Sequence, residues 1–242
     1  MDQIALHVSP HPDDEVLGCG ATLLGLQRAG WRIVNLTCSL GRPADRSRRE
    51  QELDRALDVL GFEGMVVSPP VALSAGDDLV RAETRIRDAI EDVAAAVTPA
   101  LVLAPHPGEA HHGHAVVGRA VAAAAPARSW WAWGLWRDLP RPNRYVPYGD
   151  EDLARLSTAL AHHTGELARN AYADLLPARA RARAIIGSER VLGFGSGPAA
   201  PQPYADLFEE RVRRGPTWRR RPGPAVGLGP WIRSPAPEGH RR

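Results

Sequence analysis

Short apolar blocks recur along the first half of the chain, and longer periodic runs lie between them. Ile4-Ala5-Leu6-His7-Val8 reads as a buried strand, and Ser9-Pro10-His11-Pro12 turns the chain after it. The spacing of Val16, Leu17, Leu23, Leu24 and Leu26 predicts a helix over about residues 14–28. Acids fill its first turn, where the helix dipole favours them, and Gly30 closes it. A second strand follows at 32–38. The next helix runs from about Ala44 to Leu60, with Leu53, Leu57 and Leu60 on one face and Gly61 as its stop. Then come a third strand at Met65-Val66-Val67, a helix at 79–97, a fourth strand at 101–104 and a helix from His114 to Ala125.

Strand and helix in alternation predict an α/β protein, a Rossmann-like three-layer fold with a mostly parallel sheet. Strand one delivers His11, and strand four delivers the segment from His106 to His114. Both segments leave the carboxyl ends of their strands, the edge where open α/β sheets bind ligands. Two clusters distant in sequence can therefore share one crevice. Past Pro126 the pattern loosens: residues 129–136 and 145–148 read as strands, and helices are predicted over about 150–168 and 172–186. No internal repeat is present. The expected division is a domain over 1–212 and a basic Pro/Gly/Arg-rich tail over 213–242 without fixed structure.

Composition narrows the function. The 242 residues are 44% hydrophobic and 24% charged, enough apolar material for one domain's core. All 30 basic residues are arginine, which excludes a P-loop lysine and a Schiff-base lysine. The formal charge of +2 hides an asymmetry. Residues 213–242 hold 8 Arg against Glu238, a net of +7, whereas 1–212 hold 22 Arg against 27 acids, a net of −5. No recognition motif accompanies the basic tail, so a solvated tail or a subunit contact is expected rather than nucleic-acid binding. Cys19 and Cys38 make no disulfide framework and no CxxC knuckle, and read as reduced buried thiols. The N-terminus lacks the features of a signal peptide, and the longest apolar stretch, about 93–105, is too short to span a membrane. A cytoplasmic location is expected, with self-association left open.

The chemistry concentrates in two places. His11-Pro12-Asp13-Asp14-Glu15 packs an imidazole and three carboxylates into a strand-end loop, and their repulsion is costly without a cation. With Asp14 opening a helix, His11 and Asp14 converge on one ion while Asp13 stays free for proton transfer. A proline turn with acidic helix caps is the purely structural alternative. The second cluster, His106 to His114, holds four histidines in nine residues. Histidine is the commonest metal ligand, and a solvated His-rich loop is the plainer reading. A catalytic zinc site needs three N/O ligands and one open position. His11, Asp14 and one of these histidines meet that count.

His11-Pro-Asp-Asp-Glu15 matches the defining motif of the LmbE/PIG-L zinc-dependent N-acetylglucosaminyl deacetylases. The stretch from His111-His112-Gly113-His114 to Gly118-Arg119-Ala120-Val121 resembles their second motif, HPDHxxxGxAV, and Arg49-x-x-Glu52-Leu53-x-x-Ala56 resembles the intervening helix. The resemblance is good over about 1–125 and only general over 126–212. It implies His11, Asp14 and His114 as zinc ligands, Asp13 as general base, His111 as the oxyanion's partner and Arg49 as a substrate contact. The implied reaction is hydrolysis of an N-acetyl or other N-acyl group on a small amino sugar or glycoconjugate. Three departures stand out. His112-Gly113 replaces Pro-Asp, removing a carboxylate that orients a histidine, and Glu109 is the available substitute. Gly187-Ser188 stands where members carry a histidine, and a tyrosine before the second motif is absent. A module that retains metal and binds a glycan or metabolite without catalysis is the alternative.

Other candidates carry less. Gly18-Cys19-Gly20 fails the dinucleotide fingerprint at its third glycine, and Asp13-Asp14 lacks the spacing of aspartate-nucleophile phosphatases. His162-His163 read as an exposed helix face. Trp130, Trp131, Trp133 and Trp136 read as core or interface more than as a sugar platform. Asp77-Asp78 suit either a helix cap or contacts to substrate hydroxyls.

Overall fold

Five parallel strands, β1 (Ile4–Ser9), β2 (Arg32–Thr37), β3 (Glu63–Val66), β4 (Leu101–Pro105) and β5 (Ser129–Trp133), form half of the sheet in the computed structural model. It describes residues 3–197 and 202–229. Between these strands lie the helices α1 (Asp14–Leu17), α2 (Gly20–Arg28), α3 (Arg46–Leu60), α4 (Leu79–Val97) and α5 (His112–Ala124). The second half adds β6 (Arg144–Tyr148), α6 (Asp150–Leu160), α7 (Thr164–Leu167), α8 (Tyr172–Leu192), β7 (Tyr204–Arg214), β8 (Thr217–Arg220) and β9 (Ala225–Val226).

The strand order is β3-β2-β1-β4-β5-β7-β6-β9, with β8 on β7. The chain winds outwards from β1 in one direction and from β4 in the other, so β1 and β4 are neighbours whose carboxyl ends open the crevice. Successive strand residues alternate faces. Ala5, Leu103, Trp131 and Trp133 join one apolar cluster with Leu23, Leu53 and Leu156, whereas Leu6, Val102 and Trp130 join a second with Ile86 and Val117. Helices thus cover both faces, as the alternation predicts. Fully burying a side chain such as Leu53 contributes roughly 2 kcal/mol.

Several expectations change. The predicted helix over 14–28 is two helices, broken at Gly18-Cys19. Close packing explains the glycines: a Cβ on Gly18 would lie 3.0 Å from the Trp133 ring, and one on Gly20 would lie 2.5 Å from Leu156 Cδ2. The helix from Ala44 starts as a 3-10 turn at Pro43–Asp45. The helix over 150–168 divides into α6 and α7, and that from 172 continues to Leu192. β7 has no counterpart in the sequence reading, yet it pairs antiparallel with both β5 and β6.

The basic tail also differs from its expected form. Residues 213–214 finish β7, and β8 and β9 join the sheet. Leu228 is buried, and the carbonyl of Gly227 accepts a 2.6 Å hydrogen bond from Arg144 Nη1. Residues 230–242, the rest of that segment, lie outside the described residues. Cys19 and Cys38 are free and buried. Asp78 caps α4 by accepting from the Arg81 amide at 3.0 Å, and Asp77 accepts from Ser74. No helix among the described residues is long and apolar enough to cross a membrane.

Candidate metal centre

His7 on β1 pairs in register with Leu103 on β4, so the loops that leave these strands emerge side by side. The first loop is fastened by its own polar groups. Ser9 Oγ donates to the His11 carbonyl at 2.6 Å, and the His11 amide donates to Asp14 Oδ2 at 3.0 Å. The second loop depends on Gly118. A Cβ there would lie 2.7 Å from the Pro105 carbonyl oxygen, so glycine lets α5 run close beneath the loop and bring His114 to the crevice.

One cavity of about 170 Å³ is lined by His11, Asp13, Asp14, Arg49, His111 and His114, together with Trp136, Glu166 and Tyr172. All six residues singled out in the sequence meet there. Asp14 Oδ2 lies 3.5 Å from His11 Nδ1 and 3.4 Å from His114 Nε2. Bonds of about 2.0–2.1 Å in a tetrahedral zinc site separate ligand atoms by about 3.3 Å, close to both of these distances from Asp14. His11, His111 and His114 also offer nitrogens within 4.8 Å of one another, a looser set. An acidic oxygen between two imidazoles is the tighter donor arrangement.

Electrostatics separates the neighbouring aspartates. Burial pushes the Asp13 carboxyl well above the usual range, and the charges of Asp14 and Glu15 push the same way. Burial would raise Asp14 too, but the charge of His114 and hydrogen bonds with His11 and His114 outweigh it and hold Asp14 low. His114 loses charge stability by burial, yet Asp14 and Glu109 lift it to about 9. Burial, then the charges of His114, His11 and His112, lower His111 to about 4.

Glu109, the expected substitute for the missing aspartate, faces His114. Its Oε2 lies 3.6 Å from His114 Nδ1, an ion-pair distance rather than a hydrogen bond. At Gly113 a Cβ would sit 3.2 Å from His11 Cε1, so a side chain there would crowd the imidazoles. At Gly187 a Cβ would lie 2.4 Å from Leu207 Cδ2, so α8 packs closely on β7 there.

The remaining histidines have other partners. His106 Nδ1 accepts from the Gly108 amide at 2.9 Å, and its Nε2 lies 2.9 Å from Arg211 Nη2. His112 Nε2 lies 2.7 Å from the Leu73 carbonyl, and its ring stacks on His111 at 4.6 Å. His163, expected on an exposed face, is fully buried with its Nε2 2.6 Å from Glu15 Oε1. The helix predicted over 150–168 ends at Leu160, which turns His163 inwards. Trp130, Trp131 and Trp133 are core residues, while half-exposed Trp136 lines the cavity and packs against Tyr172. Trp136, expected inside a strand over 129–136, lies instead just beyond the carboxyl end of β5. No signal in the sequence points to Glu166 or Tyr172.

Residues 6–125 match the family described as PIG-L: GlcNAc-PI de-N-acetylase. The chain belongs to the PIG-L family. Among solved structures, it resembles the A40926 pseudoaglycone deacetylase Dbv21 at 22% identity and TM-score 0.64, covering 85% of this chain and 96% of that one. The N,N'-diacetylchitobiose deacetylase from Pyrococcus horikoshii aligns at 15% identity and TM-score 0.63, over 86% and 83% of the two chains. GalB, the 4-carboxy-2-hydroxymuconate hydratase from Pseudomonas putida KT2440, aligns at 18% and 0.66, over 88% and 97%. No curated protein matches the chain. The same fold thus carries deacetylases and a hydratase, and function has to be argued from the site.

Proposed function

We propose that this PIG-L family protein is a zinc-dependent hydrolase that removes an N-acetyl, or other N-acyl, group from an amino sugar or glycoconjugate. The observation that carries this reading is the position of Asp14 Oδ2 between His11 Nδ1 and His114 Nε2, with Asp13 in the same cavity. His11, Asp14 and His114 would hold the ion. Zinc, when bound, supplies Lewis-acid polarisation of an amide carbonyl and acidifies water.

The chain's own residues divide the remaining work. Asp13, with its raised carboxyl and no place among the three ligands, takes the proton of the attacking water and later returns one to the departing amine. His111 is neutral around pH 7 and presents a ring N–H to the oxygen that gains charge. Arg49 is anchored by the Pro12 carbonyl at 3.3 Å and faces Glu166 at 3.5 Å, which holds its guanidinium at the cavity wall. A second cavity of about 370 Å³ shares His11, Arg49 and His111 with the first, leaving room for a sugar beyond a small acyl group.

The test is amine release from N-acetylglucosamine-type substrates by the zinc-loaded protein, with metal content measured on the same sample. Stoichiometric zinc with amine release supports the proposal. Stoichiometric zinc without hydrolysis of any acylated amine favours the binding-module alternative.

A further inference from the structure

Asp13 is a residue in an unfavourable backbone conformation, with φ 103° and ψ −24°. Two other non-glycine residues of positive φ, Thr98 and Ala125, close α4 and α5 at φ 47°, near the ordinary left-handed well. Asp13 instead precedes a helix and lies well outside that well. Such a conformation persists only where the surroundings over-determine it.

Those surroundings can be traced. The Asp13 carbonyl accepts from the amides of Val16 and Leu17 at 3.1 and 3.0 Å. Its amide donates to Glu15 Oε2 at 2.9 Å. The other oxygen of that carboxylate lies 2.6 Å from His163 Nε2, and both side chains are fully buried. His163 is itself fixed, because its carbonyl accepts from the amides of Glu166 and Leu167 at the start of α7. A chain of contacts therefore runs from the α6–α7 junction, through Glu15, to the backbone of Asp13.

We propose that His163 is a positioning residue: the buried His163–Glu15 pair holds Asp13 in its positive-φ conformation and so aims its carboxylate at the reaction site. This inference rests on the assignment of Asp13 as the base. Without a donor at 163, the Glu15 carboxylate is buried with an oxygen unsatisfied, and it no longer holds still as the acceptor for the Asp13 amide. The strained peptide then relaxes. A shift of about 1 Å in a reacting group can cost a factor of about a hundred.

His163→Gln and His163→Asn test this, because the Gln amide nitrogen reaches the position of Nε2 and the Asn nitrogen does not. Each is made alone and combined with Asp13→Asn. In the otherwise unchanged enzyme, His163→Asn is expected to lower kcat by about 10–100-fold, the range for partners behind a site's first contacts. KM and zinc affinity should stay within about threefold, and His163→Gln should recover most of the loss. With Asp13→Asn already present, His163→Asn should cost less than about twofold more. Hydrogen exchange of the Asp13 amide in the metal-free protein gives a reading independent of turnover: about tenfold faster in His163→Asn, near the parent rate in His163→Gln. His163→Met is a second removal variant should Asn fail to fold. Equal kcat losses in both backgrounds, or unchanged exchange at Asp13, overturn the role of His163 and leave the base assignment intact. Normal turnover by Asp13→Asn alone overturns the base assignment and this inference with it.

Discussion

Glu109 Oε2 lies 3.6 Å from Nδ1 of His114, and the same carboxylate accepts the amides of Leu135, Trp136 and Arg137 at 2.8, 2.9 and 2.8 Å. One side chain thus faces a proposed zinc ligand and ties down the turn that carries Trp136. Glu109→Ala should weaken zinc affinity by about 10–100-fold, the usual cost of removing a ligand's outer partner. Competition with a chromophoric chelator measures it, and an unchanged affinity would refute the orienting role.

Asp13→Asn should retain zinc and lose turnover by about 10²–10⁴-fold, the scale of general-base catalysis. The same change should raise the Tm of the metal-free protein at neutral pH. The sign follows from the raised carboxyl: its charge opposes folding at pH above the raised value, and the opposition fades as pH falls to the unfolded value of about 3.9. Thermal scans of both proteins from pH 4 to 8 should therefore show the gap closing towards acid.

His111→Ala should cost about 10²–10³ in kcat, as loss of an oxyanion donor does. Since His111 is held at about 4, it is neutral from pH 5 to 8. His111→Gln, which keeps a neutral N–H donor, should lose less and leave the pH profile of kcat unmoved across that range. A profile whose acid limb disappears in this variant would show His111 titrating in turnover.

Removing metal should destabilise the protein. At free zinc about 1,000-fold above Kd, binding adds about 4 kcal/mol, which for a chain of this size shifts Tm by about 8–16 °C. Differential scanning fluorimetry with and without chelator should show the shift, and His114→Ala should abolish it.

Ending the chain after Arg214 removes buried Leu228 and the Gly227 carbonyl that Arg144 donates to. Together these amount to about 3 kcal/mol, or about 6–12 °C in Tm. A truncated chain melting with the parent would mean that residues 215–242 add nothing to stability.

Legibility in the sequence followed burial and locality. β1 and β4 are mostly apolar and buried on both faces, so their residues read as strands without knowledge of their neighbours. His11, Asp13 and Asp14 stand within one turn, and their crowding alone points to a cation. β7 was hidden because Glu209 and Glu210 are buried in mid-strand, where a polar pattern suggests solvent; the buried Arg144 guanidinium and Arg211 answer them. His163 was hidden for the complementary reason. Its partner Glu15 lies 148 residues away, and no local period encodes such a pairing. Trp136, Glu166 and Tyr172 reach the cavity through the path of the second half, which periodicity does not specify.

The antiparallel insertion of β7 between β5 and β6 has a consequence for how this molecule can be altered. The stretch that supplies Trp136, Glu166 and Tyr172 runs from the end of β5 to β7, the strand directly beside it, and carries β6 within it. Its two attachment points are thus adjacent strands, while every proposed ligand atom comes from the first 114 residues. The cavity roof is therefore a graftable cassette, one that can be exchanged between homologous scaffolds while the parallel strands keep their register.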